Sequence, residues 1–319
     1  MKAKVVVTDQ AFGGTLAERA VAERHDAEFA EFQCATEAET VAAVAGAHVV
    51  FVNLAPVTRA VLERMAPGAT VIRYGVGYDN VDVRAAGELG ISVANVPDYG
   101  SETVADHTVA LLLSSLRKLS VYDSRIREDG WIKPPGLGTL RGFGDTTVGL
   151  IGTGRIGFSV AKRLMPFGFR IIAHDPWAPA GALTAFGIES VELDDLLSRS
   201  HAVSLHCPLT PNTHHLIDDA ALARMSEGAV LINTSRGGLV DEDALVRALK
   251  SGRLSAVGLD VFSQEPLPPE SPLRALDQVT LTPHSAFYSA HSVEQLQLLA
   301  AEEADRALGG RRLRSPVSP

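Results

Sequence analysis

The stretch VGLIGTGRIG (148–157) decides the fold of its half of the chain. It begins as a β-branched apolar run, carries Gly152, Gly154 and Gly157 in G-x-G-x-x-G spacing, and leads into the helical sequence FSVAKRLMPFG (158–168). In a strand–turn–helix unit, the first glycine permits the tight turn, the second lets a pyrophosphate approach the backbone, and the third allows close packing. Amides at the helix start then hold the phosphates. The stretch predicts a dinucleotide-binding unit; the alternative is a simple turn with glycines by chance.

The next predicted strand, within FRIIAHDP (169–176), ends at Asp175, 18 residues after Gly157. A Rossmann unit carries the carboxylate that binds the adenosine ribose at about this distance. A carboxylate accepts hydrogen bonds from the ribose hydroxyls and repels a 2′-phosphate, and no Arg or Lys follows closely. The sequence therefore predicts NAD rather than NADP as the cofactor. Taken alone, Asp175 is equally compatible with an ordinary turn at a strand end.

Short apolar runs alternate with helical stretches on both sides of the glycine motif. One helical stretch, 36–47, opens with Thr36 and Glu39 at the spacing of a capping box. Strands that alternate with helices predict parallel sheets covered by helices. A chain of 319 residues exceeds what one hydrophobic core usually serves, so we expect two doubly wound α/β units. The predicted strands are 5–8, 28–32, 48–53, 71–73 and 92–95 in the first round, and 147–151, 170–174, 202–206, 230–233, 256–260 and 280–282 in the second.

A long helical stretch, 101–127, joins the two rounds and is followed by a segment rich in Gly and Pro, 128–145. That segment carries Trp131, Leu137, Leu140 and Phe143, which favours an arm packed in a subunit contact over a free tether. The last predicted helix spans 291–308 and stops at two glycines.

Composition excludes several classes of function. The net charge of −9 and the pI of about 5.6 provide no basic face for nucleic acid, and the basic tail 309–314 is short. We expect no membrane span and no signal peptide, because no apolar run is long enough. Cys34 and Cys207 do not make a disulfide framework, which favours a reducing cytoplasm. No metal site is predicted, since nothing near the adjacent His214 and His215 completes one.

Three later segments each place a polar residue beside a strand end, where open α/β sheets bind ligands. VLINTSRGGLVDEDAL (230–245) carries Arg236, VGLDVFSQEPLP (257–268) carries Asp260 and Glu265, and LTPHSAFYS (281–289) carries His284. Each has a structural alternative when taken singly. An arginine there is usually a surface ion pair, a glutamate before proline a turn cap, and a histidine a structural residue.

Together with IRYGVGYDNVDVRAA (72–86) and HCPLTPNTHHLI (206–217), these motifs resemble the D-isomer-specific 2-hydroxyacid dehydrogenase family over nearly the whole chain. GYDN, GLDVF and PHSAFYS are similar to the branch that contains D-lactate dehydrogenases and the carboxyl-terminal-binding corepressors. The resemblance implies hydride exchange between NAD and a small 2-oxo or D-2-hydroxy acid. It implies His284 as acid/base, Glu265 as the carboxylate that orients it, and Arg236 as the cation for the substrate carboxylate. A histidine that titrates near neutrality and a planar guanidinium suit these tasks.

The resemblance also implies secondary roles. Asp260 would contact the nicotinamide amide, Thr234 and Cys207 would line the cofactor side, and Arg155 and Ile156 would lie in the phosphate turn. Val76 and Gly77 would offer backbone donors to the substrate. Arg73 and Tyr99 are plausible substrate contacts that could equally be structural.

The family topology implies a Rossmann cofactor domain, 100–286, inserted into a flavodoxin-like substrate domain, 1–99 and 287–319. It also implies a homodimer formed through the long helix and the 128–145 arm. One alternative is an NADH-sensing, corepressor-like binding protein, although Phe287 stands where those proteins carry tryptophan. Another is the same scaffold acting on phosphite or on a phosphorylated hydroxy acid.

Overall fold

A computed structural model describes residues 2–179 and 181–318 of the chain. The chain divides into two compact units, Met1–Gly100 with Tyr288–Pro319, and Ser101–Phe287. Within the described residues each unit contains one sheet, and every strand pair is parallel except one at an edge. The predicted α/β architecture with two parallel sheets is confirmed.

The strands follow the predicted apolar runs closely, because β-branched residues favour the extended, half-buried backbone of a sheet. In chain order they are β1 (Lys4–Val7), β2 (Glu28–Glu31), β3 (Val49–Val52), β4 (Thr70–Arg73), β5 (Ser92–Ala94), β6 (Thr147–Ile151), β7 (Arg170–His174), β8 (Glu189–Ser190), β9 (Ala202–Leu205), β10 (Ala229–Asn233), β11 (Leu254–Leu259), β12 (Val279–Leu281) and β13 (Pro316–Val317).

The helices lie between most of these strands. They are α1 (Leu16–Arg24), α2 (Glu37–Ala43), α3 (Arg59–Leu62), α4 (Val83–Glu88), α5 (Ser101–Arg117), α6 (Leu119–Asp129), α7 (Arg155–Leu164), α8 (Leu193–Arg199), α9 (Asp219–Arg224), α10 (Glu242–Lys250) and α11 (Ala290–Leu308). Short 3₁₀ turns occupy Pro134–Leu137, Phe143–Asp145, Met165–Phe167, Thr184–Phe186, Gly237–Leu239 and Pro272–Ala275. The capping box predicted for α2 is present, with Thr36 and Glu39 each satisfying the other's backbone amide.

The first unit has the strand order β13-β5-β4-β3-β1-β2. Its parallel strands run 2-1-3-4-5, the flavodoxin-like order, and β13 pairs antiparallel with β5 at the edge. Successive residues of a strand face opposite sides, so Val6 and Val50 pack with α2, α3 and α4. Val5 and Phe51 pack on the other face with α1 and α11.

The second unit has the order β12-β11-β10-β9-β6-β7-β8 and is parallel throughout its described strands. Counted from β6 this is 3-2-1-4-5-6 with a seventh strand at the edge, which is the Rossmann order. Leu231 faces the helices α8, α9 and α10, whereas Ile232 faces α5 and α7. The carboxyl ends of β6, β9, β10 and β11 therefore share one edge of the sheet.

The single helix predicted over 101–127 is wrong, because the backbone breaks between α5 and α6. Lys118 lies at the break with a φ of +52°, in the left-handed region, and its Nζ donates to the carbonyl of Leu137 at 2.6 Å. Apolar spacing gave no sign of this break, since Lys118 is neither Gly, Pro nor Asn. The two-residue strands β8 and β13 were also missed, because two residues are too few to show an alternating pattern.

The segment after α6 is only partly packed. The Phe143 ring lies 4.8 Å from Phe169 and 5.9 Å from Phe167, so this end of the arm belongs to the second unit. Trp131 is 87% exposed, and no residue of α6 is buried. Across the described ranges, no helix combines the length and apolar composition needed to cross a bilayer.

Candidate active site

The three glycines of the G-x-G-x-x-G motif occupy three different environments. Gly152 has a φ of +91°, and a Cβ there would lie 2.8 Å from the amide nitrogen of Cys207. A Cβ on Gly157 would lie 2.2 Å from the carbonyl oxygen of Gly152, so helix and turn are in close contact. A Cβ on Gly154 would meet nothing within 4 Å. The turn is therefore tight at the first glycine, open at the second and closely packed at the third, as a bound pyrophosphate requires.

Helix α7 begins directly after Gly154, which places Arg155 and Ile156 in its first turn. Among the described residues no side chain caps this helix start, and its first turn holds no acidic residue. The first amides of a helix have no partner within the helix, and the helix dipole adds partial positive charge there. This end of α7 fits the phosphates of a dinucleotide.

Asp175 follows β7 and lies beside the same turn. Its Oδ2 accepts hydrogen bonds from the Thr153 amide at 2.7 Å and the Thr153 hydroxyl at 2.8 Å, and its Oδ1 accepts one from the Trp177 amide at 2.9 Å. Partial burial acts to raise the pKa of Asp175, but these hydrogen bonds outweigh it and hold the pKa below its usual value. The carboxylate is charged at neutral pH and sits at the edge of the glycine turn.

Two further residues predicted on the cofactor side lie at neighbouring strand ends. Burial raises the pKa of the Cys207 thiol to about 11, and the nearby charge of Asp175 acts in the same direction, so the thiol is neutral. The Thr234 hydroxyl lies 2.7 Å from the hydroxyl of Thr108 on α5. A neutral thiol and a hydrogen-bonded hydroxyl suit the wall of a pocket better than a nucleophile.

His284 and Glu265 form a hydrogen-bonded pair. The imidazole Nδ1 lies 2.6 Å from Oε2 of Glu265, and Oε1 of Glu265 accepts the Phe262 amide at 3.0 Å. Burial would raise the pKa of Glu265, but the hydrogen bond and charge of His284, the Phe262 amide and the charge of Arg236 together lower it. Glu265 is therefore ionised at neutral pH and holds the imidazole by Nδ1.

Arg236 lies in the turn that follows β10, and buried Asn233 shapes that turn. The side-chain Nδ2 of Asn233 donates to the carbonyl of Arg236 at 2.8 Å, and its Oδ1 accepts a hydrogen bond from the backbone amide of Ser235 at 3.0 Å. A Cβ on Gly237 would lie 1.9 Å from the backbone carbon of Phe262, so the turns after β10 and β11 touch. This close approach places Arg236 and Glu265 on adjoining segments.

Asp260 follows β11 and is completely buried. Its Oδ1 accepts hydrogen bonds from the Thr282 hydroxyl at 2.5 Å and the Ser285 amide at 2.9 Å, and its Oδ2 accepts the Ala286 amide at 2.9 Å. The carboxylate is thus bonded to the segment that carries His284. The nicotinamide contact expected of Asp260 stays a prediction.

The first unit brings together three of its residues around the YGVG segment. Arg73 is buried, and its Nη1 donates to the carbonyl of Tyr74. A Cβ on Gly75 would lie 2.0 Å from Nη1 of Arg73 and 3.5 Å from the hydroxyl of Tyr99. Only glycine fits at this position, because its φ is also +121°.

The following residues, Val76 and Gly77, lie at the surface of the first unit. Val76 is exposed, and its carbonyl accepts a hydrogen bond from the side-chain amide of Asn95 at 2.7 Å.

Several residues that hold the site together escaped sequence reasoning, namely Asn233, Thr282, His107 and Asn95. Asn233 ends a predicted strand directly before Arg236, and this position could have indicated it. His107 contacts Thr282, 175 residues away, and no local spacing could have indicated that pair. Among residues 2–179 and 181–318, no cluster of three or more His, Cys, Asp or Glu side chains could hold a metal ion.

Comparison with known proteins places this geometry in a family. A family profile described as "D-isomer specific 2-hydroxyacid dehydrogenase, NAD binding domain" matches residues 109–286. The chain is 41% identical over 249 residues to a glyoxylate reductase of Korarchaeum cryptofilum, an alignment that covers 77% of this chain and 75% of that protein. It is 42% identical over 270 residues to a D-3-phosphoglycerate dehydrogenase of Mycobacterium bovis, covering 84% of this chain and 51% of that protein. The chain thus spans about half the length of the mycobacterial relative.

Among solved structures, the D-lactate dehydrogenase of Aquifex aeolicus complexed with NAD and lactic acid superposes with a TM-score of 0.87. It is 29% identical, and the match covers 96% of each chain. The similarity therefore extends over both units and not only over the part matched by the family profile.

Proposed function

The chain belongs to the D-isomer-specific 2-hydroxyacid dehydrogenase family, and from that premise we propose that His284, Glu265 and Arg236 form its catalytic site. It is an NAD-dependent oxidoreductase that interconverts 2-oxo acids and D-2-hydroxy acids. The observation that carries the site assignment is the 2.6 Å bond between His284 and an ionised Glu265 at the carboxyl edge of the sheet.

His284 is the proton donor and acceptor in this proposal. A nicotinamide dinucleotide held at the glycine turn would supply or accept the hydride at the α carbon of the substrate. Because Nδ1 of His284 is bonded to Glu265, Nε2 is the atom that meets the substrate oxygen. It gives a proton to the carbonyl oxygen during reduction and takes one from the hydroxyl during oxidation. The negative charge of Glu265 stabilises the imidazolium that donates.

Arg236 is the group that binds the substrate carboxylate. A guanidinium offers parallel N–H donors that match the two oxygens of a carboxylate. The same cation polarises the adjacent carbonyl, which favours hydride addition to the carbon. The turn held by Asn233 fixes the backbone from which this side chain extends.

We assign dinucleotide binding and the three catalytic residues to the second unit and the remaining substrate contacts to the first, in line with the predicted domains 100–286 and 1–99 with 287–319. On the cofactor side the proposed contacts are Gly152, Gly154, Arg155, Ile156, Gly157, Asp175, Cys207, Thr234 and Asp260. For the substrate they are Arg73, Val76, Gly77 and Tyr99. The two unpaired cysteines suit a reducing cytoplasm as the location.

We further propose that Asp175 selects NAD over NADP. Replacing Asp175 with alanine should raise the KM for NADH by about 10- to 150-fold, since a hydrogen bond to a charged group contributes about 1.5–3 kcal/mol. The KM for NADPH should rise much less or fall, because the charge that repels a 2′-phosphate is gone. Steady-state kinetics with both cofactors measure this ratio.

Asp194→Ala, which removes an exposed carboxylate of the same unit, is the matched control and should leave both KM values unchanged. Asp175 also holds the Thr153 turn, so an equal loss for both cofactors would mean that its role is only to shape that turn.

The homodimer is a proposal that the exposed face of α6 supports. On α6, Leu119 is 56% exposed and Ile126 45%, and Trp131, just after the helix, is 87% exposed, so the described residues leave these apolar side chains uncovered. Trp131→Glu should weaken the dimer by at least about 30-fold, because a central aromatic anchor contributes about 2 kcal/mol or more. Sedimentation velocity across a micromolar dilution series should then show the monomer.

Trp177→Glu provides a control of the same chemistry, since Trp177 is 91% exposed but lies beside the glycine turn. A wild-type protein that sediments as a monomer at micromolar concentration would contradict the dimer.

The substrate class is tested by following NADH absorbance with purified protein across a panel of 2-oxo acids. The panel should contain glyoxylate, hydroxypyruvate, pyruvate, and branched and aromatic 2-oxo acids, with phosphite and 3-phosphoglycerate tested in the direction of NAD reduction. We expect rapid NADH oxidation with one of the small 2-oxo acids. NADH binding without turnover of any member would favour the NADH-sensing alternative. Turnover of phosphite or 3-phosphoglycerate alone would replace the small 2-oxo acid with that compound as the substrate.

A further inference from the structure

The buried carboxylate of Asp260 joins the three-residue segment that contains His284 to the end of β11. Two of its hydrogen bonds come from the backbone amides of Ser285 and Ala286, directly after the histidine. A third links the main chains, with the His284 amide donating to the Asp260 carbonyl at 2.8 Å. One residue therefore fixes three consecutive amides.

The backbone at His284 needs such restraint. Its φ is +51°, a left-handed conformation that is unfavourable for a residue with a Cβ. Strained backbone of this kind persists only where surrounding bonds over-determine it. Without the carboxylate of Asp260 to accept these amide hydrogen bonds, the segment would relax into an ordinary backbone conformation and carry the imidazole away from Glu265.

A second layer of side chains extends the network to α5. The Thr282 hydroxyl donates to Oδ1 of Asp260 at 2.5 Å, so a lone pair of its oxygen can accept the Nε2–H of His107 at 3.0 Å. His107 Nε2 also lies 3.7 Å from Oδ1 of Asp260. The carboxylate is thus enclosed by donors from α5, from the end of β12 and from the segment that carries His284.

We infer that Asp260 is a positioning residue, which holds His284 in its left-handed conformation so that the imidazole meets Glu265. The inference rests on the proposed function in that it takes His284 as the acid/base group. A carboxylate with no exposed surface, both oxygens of which already accept bonds from the protein, is built to act through the segment it holds.

Asp260→Asn tests the inference, because an amide keeps the shape but replaces one acceptor oxygen with an N–H donor. That donor would face an amide N–H or the Thr282 hydroxyl, so the segment must move. We expect kcat to fall about 10- to 100-fold, the scale on which a misplacement of about 1 Å acts. The pH profile of kcat should change as well, since the pairing of His284 with Glu265 is loosened.

Two readouts separate positioning from direct contact with nicotinamide. The ratio of the Kd values for NADH and ADP-ribose reports the predicted contact of Asp260 with the nicotinamide half, so kcat is measured at saturating NADH to keep the two effects apart. A crystal structure of the variant should show the Nδ1–Oε2 separation of His284 and Glu265 beyond about 3.5 Å, past hydrogen-bond distance. Asp194→Asn is the control and should change neither readout.

Thr282→Val is a second variant in case Asp260→Asn does not fold. It keeps the carboxylate but removes the 2.5 Å bond and the partner of His107, so it should lower kcat less and leave the affinity ratio unchanged. Wild-type kcat in a folded Asp260→Asn would overturn the inference, as would an intact His284–Glu265 bond in its crystal structure. A collapsed affinity ratio with an intact His284–Glu265 bond would leave Asp260 with the nicotinamide contact alone. If the wild type turns over no 2-oxo acid, the proposed function fails, while the crystal structure still decides the positioning.

Discussion

Alanine in place of His284 is expected to lower kcat for 2-oxo acid reduction by about 10²- to 10⁴-fold, the usual contribution of a positioned acid. The Kd for NADH should change by no more than about threefold, because the proposed dinucleotide contacts lie on the glycine turn and at Asp175. Steady-state kinetics at saturating NADH, together with fluorescence titration of NADH, separate the two effects.

Two companion variants define what the histidine does. Glu265→Gln keeps a hydrogen-bonding partner for Nδ1 but removes the charge, so it should lower kcat less than His284→Ala and displace the pH profile. His291→Ala changes an exposed histidine at the start of α11 and should leave turnover unchanged. Near-normal turnover in His284→Ala would remove His284 from the mechanism.

Replacing Arg236 with alanine should lower kcat/KM for the 2-oxo acid by about 30- to 5,000-fold, because truncating one partner of a desolvated charge pair costs about 2–5 kcal/mol. Arg236→Lys keeps the positive charge but not the planar fork and should recover only part of the loss. The loss of kcat/KM should be larger for the 2-oxo acid than for a neutral analogue that lacks the carboxylate. Kinetics across the two variants and both substrates measure this difference.

Arg247→Ala is the matched control, since Arg247 forms an exposed ion pair with Asp219 in the same unit. It should not alter kcat/KM. An Arg236→Ala variant that discriminates between acid and neutral analogue as well as wild type does would contradict the assignment of Arg236 to the substrate carboxylate.

The regular parts of this fold could be predicted from sequence because each has a local cause. The runs in β6 and β7 are apolar and β-branched, and the glycine turn that follows β6 fixes the strand–turn–helix order around it. The break at Lys118 has a different origin. Its left-handed backbone is accompanied by a bond to Leu137, 19 residues further on, and nothing in the neighbouring residues signals it.

The candidate site also contains residues that could be predicted from the sequence and residues that could not. His284, Glu265 and Arg236 each carry a reactive side chain beside a strand end, so residue type and order in the chain indicated them. The residues that fix their geometry do so through contacts that only the folded sheet creates. Asn233 holds the Arg236 turn, and Thr282 joins Asp260 to His107. Their side chains are unremarkable in sequence, since Asn and Thr also occur widely in turns and strands.

We expect this chain to reduce a 2-oxo acid stereospecifically at the expense of NADH. The most direct test incubates purified protein with NADH and a 2-oxo acid that yields a chiral product, and follows both NADH loss and the product enantiomer by chiral chromatography. The expected product is the D-2-hydroxy acid alone, formed in equal amount to the NADH consumed. Formation of the L enantiomer, or no NADH loss with any 2-oxo acid, would contradict it.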